Sequence, residues 1–146
     1  MLIAMLLSLT LVLATFLIHF QALRWTSRLL PRCGRAGPAR VLVVMVGAFG
    51  AHLAEIGLYA AAFFVLEGPF AVGGIEGAHD RSAMSYVYYS TVTYTSLGIG
   101  DLAPVGHLRV ISAIETLNGL VLIGWSTSFT FLAMRRYWPM EPERSG

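Results

Sequence analysis

Charged residues are scarce in this chain, and their scarcity excludes most classes of soluble protein. Only 12% of the 146 residues are charged, whereas 56% are hydrophobic, and the mean hydropathy is +0.68. Soluble globular domains carry about 25% charged residues, because their surfaces must be solvated. The composition therefore indicates an integral membrane protein.

Cysteine and clustered histidine are lacking as well. Cys33 is the single cysteine, so the chain cannot form an internal disulfide. Neither a second cysteine nor a cluster of histidines provides the ligand spacing of a zinc site. We therefore expect no redox chemistry, no structural metal and no cofactor.

Two enzyme signatures are incomplete. The run from Gly98 to Asp101 matches the Gly-x-Gly-Asp of intramembrane aspartyl proteases, which need a second embedded aspartate to share a proton and activate water. The other aspartate, Asp80, lies in a polar loop. A dinucleotide-binding fingerprint would need a third glycine in a strand-to-helix context. The sequence therefore predicts a protein without enzymatic activity.

Three apolar stretches are each long enough to cross a bilayer, at roughly 20 residues per crossing. They are residues 1–23, 41–66 and 108–134. A fourth stretch, residues 82–95, is too short to cross, and its length suits a re-entrant helix. We interpret residues 1–23 as a retained helix, because they lack the basic segment of a signal peptide. The predicted fold class is an all-α membrane protein.

Arginine supplies all ten basic residues, and its placement predicts the orientation. Five arginines fall within residues 24–40, and Arg135 and Arg136 begin the short tail of residues 135–146. Basic residues favour the cytoplasmic side, so we expect both segments to be cytoplasmic. The arginines of residues 24–40 are spaced like a voltage sensor, but they stand among Pro and Gly rather than inside an apolar span. We interpret them as a basic loop that contacts anionic lipid.

Residues 93–104 read T-Y-T-S-L-G-I-G-D-L-A-P and lie between two apolar spans. Irregular backbone at membrane depth is tolerated only where protein buries it or where it lines a water-filled path. Rings of carbonyl oxygens along such a path can replace the hydration shell of a cation. Asp80 or Ser82 is placed to cap the short helix before this run. The negative end of that helix dipole would then favour a cation beneath the run.

This region resembles the pore region of potassium channels, whose signature is T-x-T-T-V-G-Y-G-D-x-x-P. The positions that carry the resemblance are Tyr88, Tyr89, Ser90, Thr93, Thr95, Ser96, Gly98, Gly100, Asp101 and Pro104. It covers about residues 41–134 and implies a two-helix pore unit preceded by the extra transmembrane helix 1–23. The implied parts are an outer helix 41–66, a re-entrant pore helix 82–95, a selectivity filter 96–100 and an inner helix 108–134.

The resemblance also implies which residues bind ions. They are Thr95, Ser96, Leu97, Gly98, Ile99 and Gly100, with Asp101 at the outer mouth. One filter segment supplies one quarter of each carbonyl ring, so a homotetramer is implied. Small bacterial channels of this group also look similar in carrying His-x-x-Glu in the first pore-unit span and Glu-x-x-Asn/Thr-Gly in the second. We therefore expect a plasma membrane location, in the bacterial inner membrane, with the filter facing outside.

Three positions depart from the family pattern. Ser96 replaces the usual Thr, which keeps a hydroxyl ligand but loses the methyl group that stiffens its rotamer. Ile99 replaces the usual Tyr, so a phenolic hydrogen bond that braces the filter is lost. Val92 stands where some relatives carry a carboxylate that pairs with the Asp after the filter, so Asp101 needs another partner or is solvated.

Four polar side chains fall within the spans, where a charge costs roughly 2.5–3.5 kcal/mol at the bilayer centre. His52 and Glu55 share one face of the second span, and Glu115 and Asn118 share one face of the third. Two interpretations stay open: interhelical hydrogen bonds that lock the subunit, or proton sensing. We hypothesise that Glu55 and Glu115 brace the pore helix through its Ser and Thr hydroxyls.

The sequence therefore predicts a homotetrameric cation channel in the lipid bilayer that passes K⁺ passively through backbone carbonyl sites. A weakly selective cation channel and a non-conducting membrane scaffold with a decayed filter are the alternatives. Gly119 and Gly124 are either gating hinges or points of close packing. No nucleic-acid partner is expected.

Overall fold

The computed structural model describes residues 2–32, 37–78 and 80–138. In chain order the elements are α1 (Leu2–Leu29), a 3-10 turn (Leu30–Arg32), α2 (Gly37–Glu67), β1 (Gly73–Gly77), α3 (Ala83–Tyr94), β2 (Leu102–Gly106) and α4 (Leu108–Tyr137). The helices α1, α2 and α4 are each long and apolar enough to cross a membrane. The 12 residues of α3 extend about 18 Å at about 1.5 Å per residue, less than the roughly 30 Å of a hydrocarbon core. The chain is a multi-pass α-helical membrane protein with an extra N-terminal helix.

The long helices extend beyond their predicted ends. The prediction placed a basic loop at residues 24–40, but α1 continues to Leu29 and α2 already begins at Gly37. Arginine is a good helix former, and its long side chain can lie along apolar surface while its charge reaches water. Pro38 lies in the first turn of α2, where a missing N–H costs little. The part of the predicted loop around Cys33 and the end of the predicted tail, residues 139–146, lie outside the described residues.

The short helix α3 is held between α2 and α4, and α1 packs on the outside against both. Phe63 of α2 meets Tyr89 of α3 edge to face, with ring centroids 5.0 Å apart. The hydroxyl of Tyr89 lies 2.7 Å from the hydroxyl of Ser112 on α4. Both spans therefore fix the position of the helix that leads into residues 95–100.

A small antiparallel sheet, which the sequence analysis did not predict, joins the two segments on either side of α3. Its register pairs Gly73 with Gly106 and Gly77 with Leu102. Glycine and Pro104 are poor strand formers, so the local pattern gave no signal for it. Gly77 has a φ of +120°, and a Cβ there would overlap the carbonyl oxygen of Asp101. The sheet thus anchors the chain soon after it leaves residues 95–100.

The N-terminus of α3 is capped, as the sequence predicted, by Ser82, whose side-chain oxygen accepts from the N–H of Ser85 at 3.2 Å. Asp80 supports the cap. Its carboxylate accepts from the Ser85 hydroxyl and, at 2.9 Å, from the N–H of Ser82. These bonds lower the pKa of Asp80 from 3.8 to about 2.

The Asp80 cap should give an acid-dependent part of the stability. Because its folded pKa lies below its unfolded value, the stabilisation is complete above about pH 4 and is lost as the pH falls toward 2. Thermal unfolding in detergent micelles should show wild type more stable than Asp80→Asn at pH 6, with the difference shrinking steadily as the pH falls from about 4 to about 2. Glu76→Gln on β1, where the side chain is exposed, is the control for a lost surface charge. A difference independent of pH would contradict the assignment.

Candidate functional site

The backbone from Ser96 to Gly100 alternates in handedness. Ser96, Gly98 and Gly100 have φ values of +61°, +52° and +87°, whereas Leu97 and Ile99 are not among the described residues with positive φ. Glycine adopts positive φ without steric cost, but a side chain there costs about 1–2 kcal/mol, so Ser96 is strained. Strained backbone of this kind is concentrated at functional sites. An alternating backbone can turn successive carbonyl groups toward the same side.

This segment is uncovered on the single chain. All six residues of 95–100 are exposed, including Leu97 at 65% and Ile99 at 59%. A Cβ placed on Gly98 or Gly100 would meet no other atom within 4 Å. Because irregular backbone among membrane-crossing helices must face protein or water, the exposed side of this segment needs one or the other.

The inner end of the segment is fastened to α3 and α4. The N–H of Ser96 donates to the Thr93 carbonyl at 3.0 Å, and the N–H of Gly98 donates to the Val92 carbonyl at 3.1 Å. From α4, the Thr116 hydroxyl also donates to the Thr93 carbonyl at 3.0 Å. The first turn of the filter segment therefore continues from the C-terminus of the short helix.

Asp101, which follows this segment, has a hydrogen-bond partner, so of the two predicted alternatives it takes the partner rather than solvation alone. The hydroxyl of Tyr88 donates to its Oδ2 at 2.9 Å. Tyr88 belongs to α3 and is itself exposed, so this bond lies at the surface. Tyr88 thus does for Asp101 what a carboxylate at the position of Val92 does in some potassium channels.

Glu115 contacts the pore helix from the α4 side. Its side chain is fully buried, and its Oε1 accepts from the Ser90 hydroxyl at 2.6 Å. The same hydroxyl lies 3.0 Å from the carbonyl oxygen of Ile56 on α2. Within the described residues, the other carboxylate oxygen, Oε2, has no hydrogen-bond partner. Ser90 therefore joins three helices at one point.

Asn118 lies one turn further along α4 and connects it to the other two long helices. Its Nδ2 donates to Thr15 of α1 at 2.8 Å and to the Tyr59 hydroxyl of α2 at 3.2 Å. Its Oδ1 is buried without a partner in the described part of the chain. The N-terminal helix is therefore bonded into the polar interior of the bundle.

Glu55 organises a larger group that we call the Glu55 cluster: His19, His52, Glu55, Tyr94 and Ser126. His19 Nδ1 lies 2.8 Å from Glu55 Oε1, and both side chains are fully buried. His52 Nδ1 lies 3.2 Å from Glu55 Oε2, which also accepts from the Tyr94 hydroxyl. The Ser126 hydroxyl lies 3.2 Å from His19 Nε2 and 3.0 Å from His52 Nε2. The cluster joins α1, α2, α3 and α4.

The sequence analysis found His52 and Glu55 but missed His19, Tyr94 and Ser126. His19 carried a usable signal, because it is the only ionisable side chain in residues 2–23 and such groups in a span are functional by default. Ligand atoms of His19, His52 and Glu55 lie within 4.8 Å of one another. Each of those atoms is already engaged in a hydrogen bond inside the cluster.

The two candidate hinge glycines differ in their surroundings. A Cβ on Gly119 would overlap the carbonyl oxygen of Tyr94, whereas a Cβ on Gly124 would meet nothing within 4 Å. Gly119 is therefore a point of close approach between α4 and the end of α3. Gly124 carries no packing requirement within the single chain.

The predicted residues thus divide between two places. Residues 95–100, the predicted filter, and Asp101 form an exposed segment, and the buried polar side chains lie behind α3. Glu115 contacts α3 through the Ser90 hydroxyl, as the bracing hypothesis supposed, whereas Glu55 contacts it through the Tyr94 hydroxyl and not through a Ser or Thr.

A family model described as an ion channel matches residues 41–136. The match includes most of α2, all of α3, residues 95–100 and nearly all of α4, and it leaves α1 outside. No curated protein and no solved structure matches the chain.

Substituting alanine for the two glycines of α4 should separate close packing from flexibility. Gly119→Ala forces a Cβ against the Tyr94 carbonyl, and overpacking of this kind typically costs about 1–3 kcal/mol. Gly124→Ala should leave the unfolding temperature of the detergent-solubilised protein unchanged or slightly higher, since alanine favours helix. Equal destabilisation by both changes would contradict the close approach at Gly119.

Removing the Ser90 hydroxyl should weaken the attachment of α3. Ser90→Ala leaves the buried Glu115 carboxyl group without its partner, which costs about 1–3 kcal/mol. Thr91→Val is the matched control, because it also removes a hydroxyl, which within the described residues donates to the Val87 carbonyl of its own helix. Thermal unfolding in micelles measures both. A Ser90→Ala protein as stable as the control would show that the Ser90–Glu115 bond does not brace the helix.

Proposed function

Because the chain belongs to the ion-channel family that matches residues 41–136, we propose that it forms a K⁺-conducting channel through the backbone of residues 95–100. The observation that carries this proposal is the alternation of φ sign along Ser96 to Gly100. Carbonyl oxygens stacked along a narrow path can replace the water of a cation and release it again to the next site. Conduction of this kind is passive and needs no covalent chemistry.

The proposed assembly is a homotetramer. One chain contributes a single filter segment, and that segment is exposed on one side over its whole length. In four copies related by cyclic symmetry, equivalent carbonyl oxygens form a ring, and the neighbouring copies cover the exposed backbone. The exposed side chains of Leu97 and Ile99 support this, because apolar groups at such a position gain by packing against a neighbour.

Cation preference follows from the fixed charges around the segment. The C-terminus of α3, which ends at Tyr94, presents the negative end of its dipole toward the inner side of the filter. Asp101 places a carboxylate at the other end. Both features stabilise a positive ion entering or leaving the path.

The arrangement of arginines supports an orientation with the filter mouth outside. Arg40 near the start of α2 lies over the ring of Tyr137 at the end of α4, 5.2 Å from its centroid, and Arg136 lies 5.4 Å from the same ring. The basic ends of α2 and α4 therefore meet at one end of the bundle. Basic residues favour the cytoplasmic side, which supports insertion in a plasma membrane with Asp101 facing outward.

Weak selectivity is the second candidate, and Ile99 favours it. An isoleucine cannot donate the hydrogen bond that a tyrosine makes at this position in potassium channels, and its side chain is 59% exposed on the single chain. A filter held only by apolar packing would discriminate less sharply between K⁺ and Na⁺. The two candidates share the same path and differ in the rigidity of its walls.

Ion flux from vesicles containing the purified protein tests the path. Gly98→Ala should abolish K⁺ flux, because a Cβ disfavours the φ of +52° at that position. Gly50→Ala on α2, where a Cβ meets nothing within 4 Å, is the matched control and should conduct like wild type. Wild-type flux through the Gly98→Ala protein would show that ions travel by another route.

The permeability ratio in planar bilayers separates the candidates. Wild type should pass K⁺ at least ~10-fold better than Na⁺ if carbonyl sites of fixed geometry replace hydration. A ratio near one favours the weakly selective channel. A tetramer that passes neither ion favours the non-conducting scaffold.

A further inference from the structure

The Glu55 cluster contains more hydrogen-bond contacts than its resting protons can supply. Five contacts each need one proton: His19 to Glu55, His52 to Glu55, Tyr94 to Glu55, and Ser126 to each of the two histidines. A sixth contact, from His52 Nδ1 to the Tyr94 oxygen at 2.9 Å, can share the His52 proton. With neutral histidines and an ionised Glu55, the side chains carry only four protons between them.

The contact that lacks a proton is one of the two that Ser126 makes with the histidines. When both Nδ1 atoms donate to Glu55, both Nε2 atoms are left as bare acceptors. The Ser126 hydroxyl has one hydrogen and faces both of them, so one lone pair would oppose another. A proton on either Nε2 removes the conflict, because that imidazole then donates to the Ser126 oxygen while the hydroxyl donates to the other.

The charge count gives the same answer independently. The side chains of His19 and Glu55 are fully buried, with 0% exposure, and that of His52 is only 16% exposed. With four protons the cluster carries one uncompensated negative charge in the interior of the bundle, which is costly. A fifth proton makes it neutral as a carboxylate paired with an imidazolium. Glu55 accepts at both oxygens, which is the role of an ionised carboxylate and places the proton on an imidazole.

We infer that the Glu55 cluster is a proton-binding site that holds one shared imidazolium proton and transmits its presence to the filter through Tyr94. Tyr94 is the last residue of α3, directly before Thr95, and its hydroxyl bonds to Glu55. Losing the proton leaves the buried carboxylate uncompensated and one Ser126 contact broken, which loosens α1 and the base of the filter together. The link to conduction rests on the proposed function, whereas the proton itself does not.

The other titratable groups near the cluster are few. Among the described residues, Tyr59 of α2 and Glu115 of α4 lie close enough to interact with Tyr94. Tyr59 shares a hydrogen bond with Asn118, and Glu115 is bonded to Ser90. The cluster therefore has its own carboxylate and its own imidazoles as the groups that exchange the proton.

Nitrogen-15 NMR of ring-labelled histidine in the full-length protein tests the proton without any flux. At pH 8 the wild type should retain one protonated imidazole, assigned to His19 or His52 through single His→Gln variants. Glu55→Gln removes the charge that requires the proton, and it should show only neutral imidazoles at that pH. Ser126→Ala keeps Glu55 but removes the bridging hydroxyl, and it should lose the protonated signal at lower pH than wild type. Only neutral imidazoles in wild type at pH 8 would overturn the inference.

Flux at varied pH tests the link to the filter. Wild-type K⁺ flux should fall at least ~3-fold in the alkaline range where the protonated signal disappears. Ser126→Ala should shift that fall to lower pH, and His107→Gln, an exposed histidine at the start of α4, should leave it unchanged. A flat profile in wild type, with the imidazolium observed, would overturn the coupling through Tyr94. Absence of flux at every pH would instead contradict the proposed function and leave the NMR result as the test of the proton.

Discussion

Every polar group in the interior of this bundle must be satisfied by protein, because hydrocarbon offers no hydrogen bonds. The requirement applies strongly to the short helix α3, because its last carbonyl groups lie inside the structure and have no partners within the helix. Its N-terminus is capped by Ser82 at the surface, and the carbonyls of Val92 and Thr93 at its other end accept from Gly98, Ser96 and Thr116. The backbone of residues 96–98 is therefore shaped by the hydrogen bonds that satisfy the last carbonyl groups of α3.

The two buried carboxylates meet that requirement in different ways. Glu55 accepts hydrogen bonds at both oxygens from side chains of α1, α2 and α3, so its charge can be retained if one imidazolium accompanies it. Glu115 bonds at one oxygen only, to Ser90. Both contact α3: Glu115 bonds to Ser90 within the helix, and Glu55 bonds to Tyr94, its last residue. Tension on either long helix would therefore reach the pore helix through a specific hydrogen bond rather than through apolar contact alone.

Some of this arrangement could be predicted from the sequence because it depends on local signals. The spans follow from apolar length, the cap from Ser82 and the turn chemistry from Gly98 and Gly100. The β1–β2 sheet could not, because it pairs segments on opposite sides of α3, Gly73 with Gly106 and Ile75 with Pro104, and glycine and proline do not favour a strand. His19 was missed for the same reason: its partner Glu55 is 36 residues away, and only the packing of α1 brings them together.

The N-terminal helix therefore belongs to the pore unit in physical terms, although the family match begins after it. Its buried face includes Ser8, Thr15, His19 and Thr26, a polar stripe at helical spacing on an otherwise apolar helix. The hydroxyls of Ser8, Thr15 and Thr26 donate to carbonyls of α1 itself, but His19 needs partners outside the helix. Lipid could not satisfy His19, and Glu55 would lose a hydrogen-bond partner if α1 were replaced by lipid. Since Glu55 also accepts from Tyr94, the residue directly before Thr95, the position of residues 95–100 depends on a helix that lies outside the family match.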